Sequence, residues 1–364
     1  MKLKIIALLC LLITSAGLLH AQEVIKIGII GLDTSHAPAF IKLLNSNDPL
    51  PEHKGFKIVA AYPYGSKTIE SSYKRIPGYT EEAQKHGVEI VGSIAELLEK
   101  VDCVMLETND GNLHLDQAVE VLKTGKPMFI DKPVAATLTD AIAIFSLAKK
   151  YNSPMFSSST LRFTPRNQEL KRGEHGKVLG ADCFSPATNE PSHADFSWYG
   201  IHGVETLFTV MGGGCKQVTR VSAEGTDVVV GLWNDGRIGT FRGLRTGKAD
   251  FGGTAFCESK TLFFLPRSPR KAPLGKVAQQ AAQLPQKGLQ AAVRRAVPCV
   301  DGGVLGHQIR LAPGAHLLGQ VGVLHIHEIP GVKPADFLEH IGAHGHKAAG
   351  AELDAAGHGQ ILIL

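Results

Sequence analysis

From residue 24 to residue 158 the chain alternates apolar, strand-like runs with segments of helical periodicity, an alternation that confines it to a parallel sheet built from β-α-β units. Parallel neighbours cannot be joined by a tight turn; each pair needs a long crossover, normally a helix. Strands are expected at residues 24–30 (VIKIGII), 56–62 (FKIVAAY), 88–91, 101–107 (VDCVMLE), 127–130 and 154–158. Helices are expected between them at 37–44, 80–86, 93–100, 113–124 and 138–151. Thr80 and Ser93 stand where N-caps belong, since a hydroxyl there can accept one of the orphan N–H groups of the first turn. Six strands with intervening helices make one doubly wound, Rossmann-type unit.

After Thr164 the texture changes. A helix is expected at 166–172, a strand at 178–185, and a second helix at 200–211 (GIHGVETLFTVM). Strands at 217–223, 227–232, 238–244, 254–258 and 261–265 then follow at short intervals, with Asn234-Asp235-Gly236 reading as a hairpin turn. The expected fold is therefore α/β throughout: a parallel sheet over 22–158, then an α/β domain with a mostly antiparallel open sheet over 159–265.

The two ends read differently. Lys2 and Lys4 precede an apolar stretch from Ile5 to Leu19, and Leu19-His20-Ala21 leaves a small residue before Gln22. That is the layout of a Sec-type signal over 1–21, giving a periplasmic or secreted protein with no stable membrane insertion after cleavage. The remaining cysteines, Cys103, Cys183, Cys215, Cys257 and Cys299, are odd in number and lack C-x-x-C spacing; Cys103 and Cys257 lie in apolar strand-like runs and read as buried thiols. No metal ligand set is assigned. Residues 266–364 are rich in Ala, Gly, Gln, His and Arg, and half of the sixteen histidines fall between His307 and His358. Poor periodicity there points to a shifted reading frame near Pro266 to Ala272. A metal-binding tail using His325, His327, His344 and His346 is the alternative. A net charge of +4, without a basic run interleaved with aromatics, gives no reason to expect nucleic acid as a partner.

The chemistry-bearing residues begin at the end of the first strand, Gly31-Leu32-Asp33-Thr34-Ser35-His36. A strand–glycine–helix junction lets backbone N–H groups approach a pyrophosphate at a helix N-terminus. The glycines of G-x-G-x-x-G are replaced here by Asp33 and His36, and an outward-facing, ionised Asp33 would repel phosphate. The plainer reading is a turn in which Asp33 or Thr34 caps the helix. Further on, Thr108-Asn109 is followed by His114-Leu115-Asp116-Gln117-Ala118; residues 121–135 read VLKTGKPMFIDKPVA, and 160–165 read TLRFTP. Residues 251–260 bring an FG…T…F-x-E turn, and 198–205 read WYGIHGVE.

In combination these segments resemble the glucose–fructose oxidoreductase, inositol dehydrogenase and rhizopine-catabolism (Gfo/Idh/MocA) family over roughly residues 24–265. Asp131-Lys132-Pro133 stands for that family's Glu-Lys-Pro, and Thr160 for its Asn. In the D-x-G-x-H-x-x-D pattern Trp198 replaces the first acid and Glu205 the last, while Gly200 and His202 are kept. The resemblance implies NAD or NADP as cofactor, contacted by Gly31, Leu32, Asp33, Thr34, Ser35, His36, Thr108, Asn109, His114, Asp131, Lys132 and Arg162. It implies a carbohydrate-like substrate contacted by Arg162, Tyr199, His202 and Glu205. The run after the second strand, Ala61-Tyr62-Pro63-Tyr64-Gly65-Ser66-Lys67, has no ribose-binding acid, and Ser66 with Lys67 suits a 2′-phosphate.

The implied chemistry is hydride transfer between a sugar or polyol carbon and nicotinamide. His202 would be the base, its ordinary pKa lying near neutrality, and Lys132 would orient the hydroxyl and stabilise oxyanion charge. Two alternatives remain at this stage: an NAD-dependent glycosidase of the same fold, and a non-catalytic nucleotide- or carbohydrate-binding protein. A homo-oligomer through the sheet of the second domain is also expected.

Overall fold

The structure is a computed structural model that describes residues 24–264, so the expected signal segment and the atypical tail lie outside the described residues. The first half contains β1 (Ile25–Ile30), α1 (His36–Leu44), β2 (Phe56–Tyr62), α2 (Glu70–Tyr73), α3 (Ile76–Lys85), β3 (Glu89–Ile90), α4 (Ile94–Lys100) and β4 (Cys103–Leu106). It continues through α5 (His114–Lys123), β5 (Met128–Asp131), α6 (Leu138–Lys150) and β6 (Met155–Ser158). These six strands form one sheet in the order β3-β2-β1-β4-β5-β6, every pair parallel. Strands β4, β5 and β6 are buried along their whole length, which explains their continuous apolar runs: helices cover both faces. On one face Phe40, Ile41 and Leu44 of α1 pack on Ile27, Ile29 and Met105. On the other, Leu97, Val121, Leu122 and Ile144 pack on Ile30, Val104 and Ile130.

Two local readings need correction. Helix α3 begins at Ile76, earlier than residue 80, because Pro77 occupies its first turn, where a missing N–H costs no hydrogen bond. Thr80 is therefore no cap; it lies inside the helix and donates its hydroxyl to the Ile76 carbonyl at 2.7 Å. Ser93 does cap α4, accepting from the Glu96 N–H at 3.1 Å.

The second half contains α7 (Pro165–Lys171), β7 (Val178–Pro186), α8 (Ile201–Met211), β8 (Cys215–Ala223), β9 (Thr226–Trp233), β10 (Ile238–Leu244), β11 (Gly252–Cys257) and β12 (Thr261–Phe264). The sheet order is β12-β11-β7-β10-β9-β8; only the β7–β10 pair is parallel. The expected hairpin turn joins β9 to β10, with Gly236 at φ +85° and its N–H on the Trp233 carbonyl. Val204, Leu207 and Met211 of α8 cover one face of this sheet against Ala181, Cys183, Phe241 and Trp233. Cys103, Cys183, Cys215 and Cys257 are buried free thiols. Helix α8 thereby carries His202 and Glu205 on a rigid support.

Candidate active site

The crevice of the parallel sheet lies at the carboxyl ends of its strands, where the order reverses between β1 and β4. Strand β1 runs into Gly31, whose φ is +92°. A Cβ there would stand 2.5 Å from the Thr108 backbone nitrogen, so glycine is required for the turn to lie against the loop after β4. Leu32 drops into the core. Asp33 is also fully buried: Oδ1 accepts from the Asn109 N–H at 3.0 Å and Oδ2 from the Ser66 N–H at 3.2 Å. Burial pushes its carboxyl up to about 6, against the pull of those hydrogen bonds. The side chain knits the loops after β1, β2 and β4 together and does not face outward.

Neither Asp33 nor Thr34 caps α1. Ser35 holds the cap position without a side-chain cap bond, and Thr34 Oγ1 accepts the His36 N–H at 3.3 Å. Ser66 does not stand free for a 2′-phosphate either: it is buried and donates its hydroxyl to Asp110 Oδ2 at 2.8 Å. Lys67 lies over the Tyr64 ring. Asn109 donates its side-chain amide to Ser72 Oγ at 2.9 Å. His114 is fully buried, with Nε2 on the Thr108 carbonyl at 2.7 Å and Nδ1 on the Val134 carbonyl at 3.0 Å. It braces the loops after β4 and β5 from within, and both ring nitrogens are taken up by backbone carbonyls.

At the end of β5 the buried Asp131 accepts on Oδ2 from Lys132 Nζ at 3.2 Å and meets His36 Nδ1 at 3.0 Å. Burial alone would raise its pKa, but the His36 and Lys132 charges hold it well below the usual carboxylate range. The third glycine position of the turn thus carries a histidine that pairs with the acid beside Lys132. Glu107 follows β4 directly and has no exposed surface; neither oxygen has a hydrogen-bond partner among the described residues. Burial first, and the Asp131 charge second, push its pKa well up. One donor atom each from His36, Glu107 and Asp131 lie within 4.8 Å of one another. Sequence reasoning missed Glu107, counting it as the last residue of a strand; its signal was a charge closing an otherwise apolar run.

Across the crevice, His202 stands in the first turn of α8. Its Nδ1 lies 2.7 Å from Ser159 Oγ, and Glu205 Oε2 accepts from the Ser159 N–H at 2.6 Å. Burial, reinforced by the Lys132 and His36 charges, pulls the imidazole down to about 3. The near-neutral pKa assumed from sequence therefore does not hold, and the ring is neutral at physiological pH. Tyr199 is half-exposed and meets the His202 ring edge-on, with Phe251 completing the apolar wall. Arg162 and Glu205 pair with each other, Nε to Oε1 at 2.6 Å. They line a cavity of about 400 Å³ with Met155, Phe156, Leu170 and Phe208.

A Rossmann sheet with a glycine turn at its switch point, joined to a second sheet whose helix faces the crevice, defines a two-part α/β protein of the dinucleotide-binding class. Residues 25–158 match the model of the Gfo/Idh/MocA oxidoreductase family, described as having an NAD-binding Rossmann fold. This Rossmann unit belongs to that family.

Solved structures share the whole two-part arrangement. A myo-inositol dehydrogenase from Corynebacterium glutamicum superposes with a TM-score of 0.58 at 15% identity, over 75% of this chain and 96% of that one. The scyllo-inositol dehydrogenase of Lactobacillus casei, solved with NAD(H) and scyllo-inositol bound, gives 0.56 at 14% identity, over 76% and 96%. A UDP-N-acetylglucosamine 3-dehydrogenase from Acidithiobacillus ferrooxidans gives 0.54 at 15% identity, over 75% and 98%. No curated protein matches the chain.

The residues present fit the dinucleotide that the family binds. The one acid of the glycine turn, Asp33, is buried against the Asn109 and Ser66 N–H groups and leaves no carboxylate facing the crevice to repel a phosphate.

Proposed function

We propose that this protein is an NAD(P)-dependent oxidoreductase that transfers hydride to or from a sugar- or polyol-like substrate. One observation carries the reading. Lys132, hydrogen-bonded to Asp131 at the end of β5, and His202, hydrogen-bonded to Ser159 just past the end of β6, are held at neighbouring strand ends, where Asp131 pairs with Ser158. In this reading the turn from Gly31 to His36 and the first turn of α1 would hold the cofactor's phosphates, and Lys132 would serve the substrate oxygen. The bound nicotinamide would supply the hydride-accepting carbon.

The chain's own residues handle the hydroxyl. Lys132 Nζ donates to the substrate oxygen and stabilises the negative charge that grows there. His202 donates its Nδ1 proton to Ser159 Oγ in the tautomer this role requires, leaving Nε2 to accept the hydroxyl proton. A ring held down to about 3 is a weak base. It can take that proton only while Lys132 lowers the proton affinity of the oxygen, so the two residues work as a pair. Ser159 fixes the ring, and Glu205 fixes Ser159 through its N–H.

The reading includes export, supported by the basic start and apolar stretch of the first residues. It also includes self-association through the exposed face of the second sheet. By register Val221, Val230, Ile238, Phe256 and Phe263 share that face, opposite α8.

Titration of the purified full chain with NAD and NADP, followed by calorimetry, tests the cofactor assignment. Saturable binding of one of them, weakened by Lys132→Ala, is the expected result. No binding of either nucleotide would overturn the proposal.

A further inference from the structure

Glu107 poses a problem that dinucleotide chemistry does not answer. A carboxylate without a partner is among the most expensive groups to bury, and protonation only exchanges an unpaired charge for an unpaired O–H donor. Glu107 is fully buried and both of its oxygens lack hydrogen-bond partners. Two other ligand-type side chains converge on the same point. Asp131 arrives from the end of β5 and His36 from the first position of α1, with His36 Nδ1 already 3.0 Å from Asp131 Oδ2. That spacing matches two donors side by side on one ion, whose bonds to nitrogen and oxygen are about 2.0–2.2 Å long.

We propose that His36, Glu107 and Asp131 form a binding site for one divalent first-row transition-metal ion. The imidazole favours zinc or iron(II) over magnesium and calcium, and the two carboxylates argue against a copper(I) site. Three protein ligands leave coordination positions open to water or a substrate oxygen. His36, which is partly exposed, marks the side on which the site meets the crevice. The ion gives Glu107 the partner it lacks and shares the Asp131 carboxylate with Lys132. This assignment stands on the geometry of the three side chains and is independent of whether hydride transfer occurs.

The test uses the untagged full chain, stripped with a chelator and dialysed. Cobalt(II) is then titrated with visible absorption as the readout, and zinc with calorimetry. Wild type should take up one ion per chain with ligand-field bands, and zinc should raise its melting temperature. His36→Ala and Glu107→Gln should each weaken that binding by about 100-fold or more. Glu107→Leu should melt no lower than the stripped wild type yet gain nothing from zinc, which separates loss of the ion from loss of the fold. Because the tail is rich in histidine, a fourth variant replaces His325, His327, His344 and His346 with Ala and should bind the ion as wild type does. Absence of stoichiometric binding, binding unchanged in Glu107→Gln, or binding lost in the tail variant would each overturn the proposal.

Discussion

Lys132 and His202 are the residues whose removal separates positioning from proton transfer. Loss of a positioned proton-transfer group costs about 10²- to 10⁴-fold in rate. His202→Ala should therefore lower turnover by that order while leaving nucleotide affinity nearly unchanged, and Lys132→Ala should lower both. Steady-state kinetics beside nucleotide titration checks the split. The depressed pKa of His202 has a second consequence. The ring is neutral when folded and binds a proton below about 6.5 when unfolded, so its contribution to stability is complete above that pH. As pH falls from about 6.5 towards about 3, that contribution is lost at about 1.4 kcal/mol per pH unit. Urea midpoints across that range should fall more steeply for wild type than for His202→Gln. At this scale Gly31, Asp131, Lys132 and His202 stood out in the sequence as candidates, because each sits in a recognisable local pattern. It could not show that Asp33 turns inward, that His114 is consumed by two carbonyls, or that Glu107 meets His36 and Asp131. Those facts depend on three strand ends that meet only in the folded sheet.

Among the elements, the parallel unit was legible because buried parallel strands are uniformly apolar and the helices between them carry a regular stripe. The second sheet was legible because short alternating runs with a Gly-containing turn have few other readings. What failed was local. A proline-started helix conceals its beginning, so α3 was placed late, and α2, of four residues, has too few positions to show a period. Capping gives a direct check on α6, whose position fixes the loop after Lys132. Thr137 accepts the Asp140 N–H at 3.1 Å and donates its hydroxyl to the Asp140 carboxylate at 2.8 Å. Thr137→Ala should cost about 1 kcal/mol of unfolding free energy, read from denaturant midpoints at unchanged slope.

For the whole molecule, the two sheets divide the work: one offers a crevice at its switch point, and the other supports α8 against it. The face of the second sheet away from α8 leaves Phe263 80% and Val221 72% exposed, on the same face as Val230 and Phe256. Such a patch on a large sheet is expected to be covered by a second copy. Light scattering should find an oligomer for wild type and a smaller species for Val221→Glu with Phe263→Glu, with unfolding midpoints little changed. The central claim, hydride exchange with a polyhydroxylated substrate, is tested most directly by reduced-nicotinamide fluorescence. The full chain is mixed with NAD or NADP and a broad panel of sugars and polyols. The account predicts that at least one member of the panel drives cofactor reduction, and that His202→Ala suppresses it by about 100-fold. A wild-type protein that binds nucleotide yet reduces none of it across the panel would contradict the account and leave a binding protein in its place.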